Sequence, residues 1–161
     1  MSGLAGEEVW VALAAGLAVV IPGIFSAVGV GMTGVAAAAV SAEDPKKFSK
    51  LFVLEVLPGT QGIYGFVAGF LIIFVAYPAV VAKIAIAPWM GMVVLAAAVP
   101  AILQGATAYS QGKVATAGVS AVAKRPEVFG QSMLYTVMVE LYAILGLLAT
   151  ILILSSIGAM G

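Results

Sequence analysis

Apolar residues run almost unbroken along the chain, and its few charged residues fall in short clusters that cut the run into four stretches, 9–40, 51–82, 88–123 and 128–157. Each stretch exceeds the roughly 20 apolar residues that a helix needs to cross a bilayer. The pattern predicts an all-α membrane protein with four transmembrane helices and almost nothing left over for a soluble domain.

Composition supports this reading. With 63% apolar residues, 9% charged residues and a mean hydropathy of +1.20, 161 residues cannot be arranged as a water-soluble globule. The net charge is zero and no segment is strongly basic, so nothing points to nucleic acid as a partner. The chain has no cysteine and no histidine, which removes disulfides, thiol chemistry and the commonest transition-metal ligand. Any proton or ion chemistry must run on carboxylates and neutral oxygens. The N-terminus carries Glu7 and Glu8 where a signal peptide would be basic, so the first span is expected to be retained.

Lys46, Lys47 and Lys50 lie between spans one and two, and Lys124 and Arg125 between spans three and four, against Lys83 alone between spans two and three. By the positive-inside rule both hairpin loops are expected on the cytoplasmic side of the cell membrane, with both termini on the opposite side.

A shift of 81 residues lays the second half of the chain on the first without a gap. Gly31 falls on Gly112, Pro45 on Pro126, Phe48 on Phe129, Gly65 on Gly146, and Leu71-Ile72 on Leu152-Ile153. The chain is expected to be two tandem helical hairpins, 1–84 and 85–161, duplicated in parallel. At that offset Glu140 falls on Gly59, so one copy carries a carboxylate where the other has none. Spans one and three are rich in glycine and alanine, which lets helix backbones approach closely in lipid. Spans two and four carry more bulk, such as Phe66, Phe70, Phe74 and Ile153. That division suits an assembly in a ring, with small-residue helices inside. Within the first span, residues 29–34 fit the GxGxxG dinucleotide pattern, but no strand precedes them and an apolar helix contains them. They are read as a helix-packing surface, and no organic cofactor is implied.

Three places carry chemistry. In span two Leu57, Thr60, Gln61 and Tyr64 share one helix face, and in span three Gln104, Thr107 and Gln111 form a second polar stripe. In span four Glu140 lies 14 residues beyond Pro126, about 20 Å along a helix, hence at least as deep as the midplane. A carboxylate there costs about 2.5–3.5 kcal/mol to insert and has to be protonated, paired or coordinated. Lys113 is expected near the cytoplasmic end of its span, which leaves only neutral oxygens at that depth. One carboxylate among neutral oxygens is a set of hard ligands suited to a small hard cation. Pro58 removes one amide donor and by the i−4 rule frees the carbonyl of Leu54, so a backbone oxygen can join the set. Gln104 and Thr107 serve equally as interhelical hydrogen-bond glue. Glu55 is a possible accessory group for ion access, and Tyr135, Tyr142 and Trp89 are read as packing or interface anchors.

The strings LPGTQGIYG at 57–65, SQGKVA at 110–115 and VELYAILG at 139–146 make the whole chain resemble the duplicated membrane-ring proteolipid of V/A-type rotary ATPases, known as K or c. The resemblance implies a non-catalytic member of a homo-oligomeric ring that binds Na⁺, or alternatively H⁺, and carries it across the membrane coupled to ATP hydrolysis or synthesis. It implies Na⁺ ligation by Glu140, Gln111, Thr60, Gln61 and the backbone carbonyl of Leu57, with Tyr64 hydrogen-bonded to the carboxylate. It further implies a stator membrane subunit with half-channels, central-stalk subunits at the cytoplasmic loops, and lipid around the ring. One carboxylate per four helices favours ATP-driven pumping. A different class, a small four-helix proton/cation antiporter, also uses a lone membrane glutamate, but it needs a roomy cavity beside the acid, and here small residues and compact oxygen ligands surround Glu140.

Overall fold

The computed structural model describes residues 2–84, 87 and 89–160. Its helices are α1 (Ser2–Glu43), α2 (Phe48–Val56), α3 (Thr60–Leu71), α4 (Tyr77–Ile84), α5 (Met90–Leu103), α6 (Thr107–Lys124) and α7 (Phe129–Ser156). They compose four spans long and apolar enough to cross a membrane, Gly6–Glu43, Pro45–Lys83, Met90–Lys124 and Pro126–Ser156, and no strand occurs among the described residues. The chain is a multi-pass membrane protein. The proposed division at 84/85 runs into residues 85 and 86, which lie outside those described.

The two hairpin turns are built alike. Pro45–Lys47 and Pro126–Val128 are 3-10 turns, and each is entered through an extended residue, Asp44 at φ −142° and Arg125 at φ −140°. Proline forces this geometry, because it disfavours a helical residue before it and suits the first turn after it. The turns are stapled differently. Lys47 Nζ donates to the Ala123 carbonyl at 2.8 Å, and Lys50 Nζ donates to the Pro126 carbonyl at 2.9 Å. Lys47 from the first turn and Lys50 from the start of α2 satisfy carbonyls at or just beyond the end of α6, where cations are favoured.

At the other end of the bundle two charges cap helix termini. Glu7 Oε2 accepts the Gly91 amide at 2.9 Å at the start of α5. Lys83 Nζ donates to the Gly158 carbonyl at 2.5 Å, just past the end of α7. Gly158 takes φ +66°, and the Ala159 amide returns to the Leu154 carbonyl at 2.9 Å, a left-handed helix stop that favours glycine.

The first span packs against the second and third, and the fourth packs against the third and second. Spans one and three touch backbone to backbone: a Cβ built on Gly112 would lie 2.7 Å from the Gly29 Cα. Gly29 and Gly34 of the GxGxxG string thus face neighbouring helices, whereas Gly31 meets nothing. The bulk of spans two and four lies outward, with Phe66, Phe70, Phe74 and Leu152 exposed. The core has two apolar parts, one around Ala14, Ala68, Ile72 and Val94 and the other around Leu51, Leu54, Val119 and Val122. Buried side chains outside these clusters include Thr33, Gln61, Gln104, Gln111 and Thr136.

Candidate functional site

Span two breaks its α-helical bonding where proline lacks an amide. Leu57–Gly59 is a 3-10 turn, and the Thr60 amide closes it on the Leu57 carbonyl. The Thr60 hydroxyl donates to that same oxygen at 2.9 Å. The i−4 rule pointed to Leu54 as the carbonyl made available. The 3-10 turn adds Leu57 as an oxygen on which side-chain and main-chain donors converge. One turn on, the Gly62 amide donates to Ser26 Oγ of span one at 2.8 Å.

From this turn a line of hydrogen bonds crosses three spans. Thr60 Oγ1 lies 3.4 Å from Gln61 Oε1, Gln61 Nε2 donates to Gln111 Oε1 at 2.5 Å, and Gln111 Nε2 donates to the Thr136 carbonyl at 3.1 Å. Gln61, Gln111 and Thr136 are fully buried. Glu140 stands one turn beyond Thr136 and is half-buried, and its Oε1 accepts the Tyr64 hydroxyl at 2.5 Å. The carboxylate therefore sits at the outer edge of a buried amide layer. Tyr64, four residues after Thr60, links span two to it directly.

Gln104 braces this layer. Its Nε2 donates to the Gln61 carbonyl and to the Ala101 carbonyl, both at 3.1 Å, and its Oε1 is buried without a partner among the described residues. Thr107 turns back on its own helix and bonds the Gln104 carbonyl at 2.8 Å, reaching no other span among the described residues. Gly146 of α7 admits Gln104, since a Cβ there would lie 2.5 Å from the Gln104 Cβ.

Lys113 lies deeper in span three than its sequence position suggests. Span three continues to Lys124, which places Lys113 eleven residues, about 16 Å, inside that end. It stays out of the site because it is two residues from Gln111 and so on another face, exposed, with its ammonium 4.3 Å from the centre of the Tyr109 ring. Glu55 is also apart from the amide layer. It lies half-buried in a groove of about 190 Å³ with Gly34, Ala38, Ser41 and Phe52, and it accepts no hydrogen bond among the described residues.

Ser26 and Thr136 escaped notice in the sequence. Thr136 had a signal, since it precedes Glu140 by four residues and shares its face. Ser26 had none, because only the packing of span one on the proline-broken turn gives it a donor to accept.

Fold and site define a class: a four-span helical membrane protein made of two like hairpins, with one carboxylate beside a buried layer of neutral oxygens. The family of the ATP synthase C subunit matches residues 13–72 and 90–153, one block in each hairpin. The chain is 44% identical over 143 residues to the A-type ATP synthase subunit K of Methanocaldococcus jannaschii, covering 89% of this chain and 60% of that one. It is 42% identical over 149 residues to the V-type sodium ATPase subunit K of Enterococcus hirae, covering 92% of each. The chain belongs to the ATP synthase C-subunit family, the membrane-ring proteolipids of rotary ATPases, and is itself non-catalytic.

Proposed function

We propose that this chain is the Na⁺-carrying subunit of a rotor ring, with Glu140 as the carrier. The observation that carries the reading is the half-buried Glu140 carboxylate held by Tyr64 at the edge of the Thr60–Gln61–Gln111 hydrogen-bond line. Its donor chemistry fits Na⁺: one carboxylate, the Thr60 hydroxyl, the two glutamine amide oxygens and the Leu57 carbonyl are all hard ligands. One negative charge matches one positive charge, which leaves the loaded site neutral. The sodium ATPase of Enterococcus hirae, whose subunit K is 42% identical to this chain, favours the same ion.

The mechanism follows from the charge. An ionised Glu140 facing lipid is costly, and Na⁺ removes that cost, so a loaded copy can turn through the bilayer while an empty one cannot. Loading and release then occur at a stator membrane subunit whose half-channels offer the empty carboxylate water or a countercharge. Each charge moved against 100 mV requires about 2.3 kcal/mol, so a ring of many copies gears several ions to each ATP hydrolysed or made. The hairpins 1–84 and 85–161 form one rotor unit with a single carrier, because Gly59 stands where the second hairpin has Glu140. The hairpin loops lie on the cytoplasmic side against central-stalk subunits, and both termini lie opposite.

Carbodiimide labelling of the purified oligomer, mapped by mass spectrometry, tests the reading. Glu140 is expected to be labelled, and Na⁺ at fixed pH is expected to protect it. Protection by raised pH alone would make H⁺ the cargo, and an unreactive Glu140 would remove it as the carrier.

A further inference from the structure

Of the grooves on the described surface, the internal repeat relates two to a filled joint. A cleft of about 560 Å³ between spans three and four is lined by Val114, Gly118, Val128, Gln131, Ser132 and Tyr135, among others. Shifted back by 81 residues, those six become Thr33, Ala37, Lys47, Lys50, Leu51 and Leu54. Each of these faces the second hairpin within one chain. Thr33 Oγ1 donates to the Gly112 carbonyl at 3.2 Å, Lys47 and Lys50 staple the end of α6 and the turn after it, and Ala37, Leu51 and Leu54 share a core with Val119 and Val122. The face by which hairpin one grips hairpin two thus recurs in position, with different residues, on hairpin two, where it borders an open cleft.

The second groove is the one that holds Glu55. Its walls include Ala37, Ala38, Ser41, Phe48, Phe52 and Glu55, which shift forward to Gly118, Val119, Val122, Phe129, Met133 and Thr136. In hairpin two that surface is filled: Leu51 and Leu54 pack on Val119, Val122, Phe129 and Met133, and Leu54 Cδ1 lies 3.5 Å from the Cβ position of Gly118. One open face is therefore the key and the other is the lock. A head-to-tail contact of this kind builds a ring when its rotation closes, as in the ring of this family.

All six key positions and five of the six lock positions change residue between the two joints, and two of these changes answer each other. Tyr135 stands where the internal joint has Leu54, and Glu55 stands where it has Thr136. Tyr135 is 69% exposed, and Glu55 is half-buried without a hydrogen-bond partner among the described residues. We infer that Glu55 belongs to the joint between copies and not to the ion path: Tyr135 of one copy enters the groove beside Ala37 and Glu55 of the next and donates its hydroxyl to that carboxylate. The inference rests on the ring reading above and adds a partner for a carboxylate that the ion site leaves unused. A buried hydroxyl and carboxylate stabilise the joint only as a pair, since either alone would be left unsatisfied.

The chain has no native cysteine, which makes thiol cross-linking direct. A chain carrying Tyr135→Cys and Ala37→Cys, treated in membranes with a short bifunctional thiol reagent, is expected to give a ladder of dimers and higher species. Each single variant gives none, and the two singles co-expressed give dimers only. In SDS, Glu55→Gln and Tyr135→Phe are each expected to lower the temperature at which the ring dissociates, with the double variant no lower than the worse single. Na⁺ protection of Glu140 is unchanged in both. A ring that assembles but yields no ladder overturns the joint and leaves the sodium assignment standing, whereas a ladder without Na⁺ protection does the reverse. Glu55→Gln also overturns the inference if it leaves dissociation unchanged and raises the Na⁺ needed to protect Glu140.

Discussion

Glu140 and Tyr64 meet across two spans because each stands one turn beyond a polar anchor, Thr136 and Thr60 respectively. Glu140→Gln keeps the shape and removes the charge, so Na⁺ binding by the ring, measured with ²²Na⁺, is expected to fall below detection while the ring still assembles. Thr60→Val leaves the carboxylate intact but removes one hydroxyl ligand. A lost hydrogen bond is worth about 1–1.5 kcal/mol, and a loss of that size would raise the Na⁺ concentration giving half-protection from carbodiimide by about fivefold to twelvefold. Protons and Na⁺ compete for one carboxylate, hence protection should weaken as pH falls and recover with more Na⁺. The polar stripe of span two and the depth of Glu140 were legible in the sequence, since both are matters of spacing on one helix. The partition between Gln104 and Gln111 was not. Both lie on one stripe, yet packing directs Gln104 to the Gln61 backbone and Gln111 to the Gln61 side chain.

The elements themselves were mostly written in hydropathy, and their interruptions in proline. Pro45 and Pro126 end spans one and three in identical turns, as the repeat required. Pro58 and Pro100 act within spans, the first inside the 3-10 segment Leu57–Gly59 and the second four residues before the 3-10 segment Gln104–Ala106. What proline could not reveal is that the donors of the next turn converge on the Leu57 oxygen, because that depends on how the turn tightens. The caps at the far end were equally hidden, since Lys83 and Glu7 look like loop charges until the termini of α7 and α5 come to them. Lys83→Met should fray the end of α7. A cation at a helix C-terminus contributes about 0.3–1 kcal/mol, so faster amide exchange near residue 157 is expected, with little change at Glu140. A harsher change lies at the crossing of spans one and three. In Gly112→Leu even the Cβ would lie 2.7 Å from the Gly29 Cα, so the helices must separate. A loss of at least about 1–3 kcal/mol, the scale of overpacking, should appear as a lowered melting temperature of the chain in detergent.

For the whole molecule, the decisive feature is that the repeat is faithful in backbone turns and unfaithful in what it buries. Gly112 and Gly31 are equivalent positions, yet Gly112 is enclosed by span one while Gly31 is exposed with nothing within 4 Å of its Cβ position. In the head-to-tail joint Gly31 meets the next copy's third span as Gly112 meets Gly29. The same substitution should therefore fail at different stages. Gly31→Leu has open space within the chain and gains helix propensity of about 1 kcal/mol over glycine, so the monomer's helicity and melting temperature in detergent should hold or rise. Between copies the leucine occupies the space the neighbouring backbone needs, and the SDS-resistant oligomer should disappear. Gly112→Leu should instead destabilise the chain before any assembly. Size-exclusion chromatography beside thermal melts separates the two, and a Gly31→Leu chain that still forms a full ring would mean that this face of span one is not where copies meet.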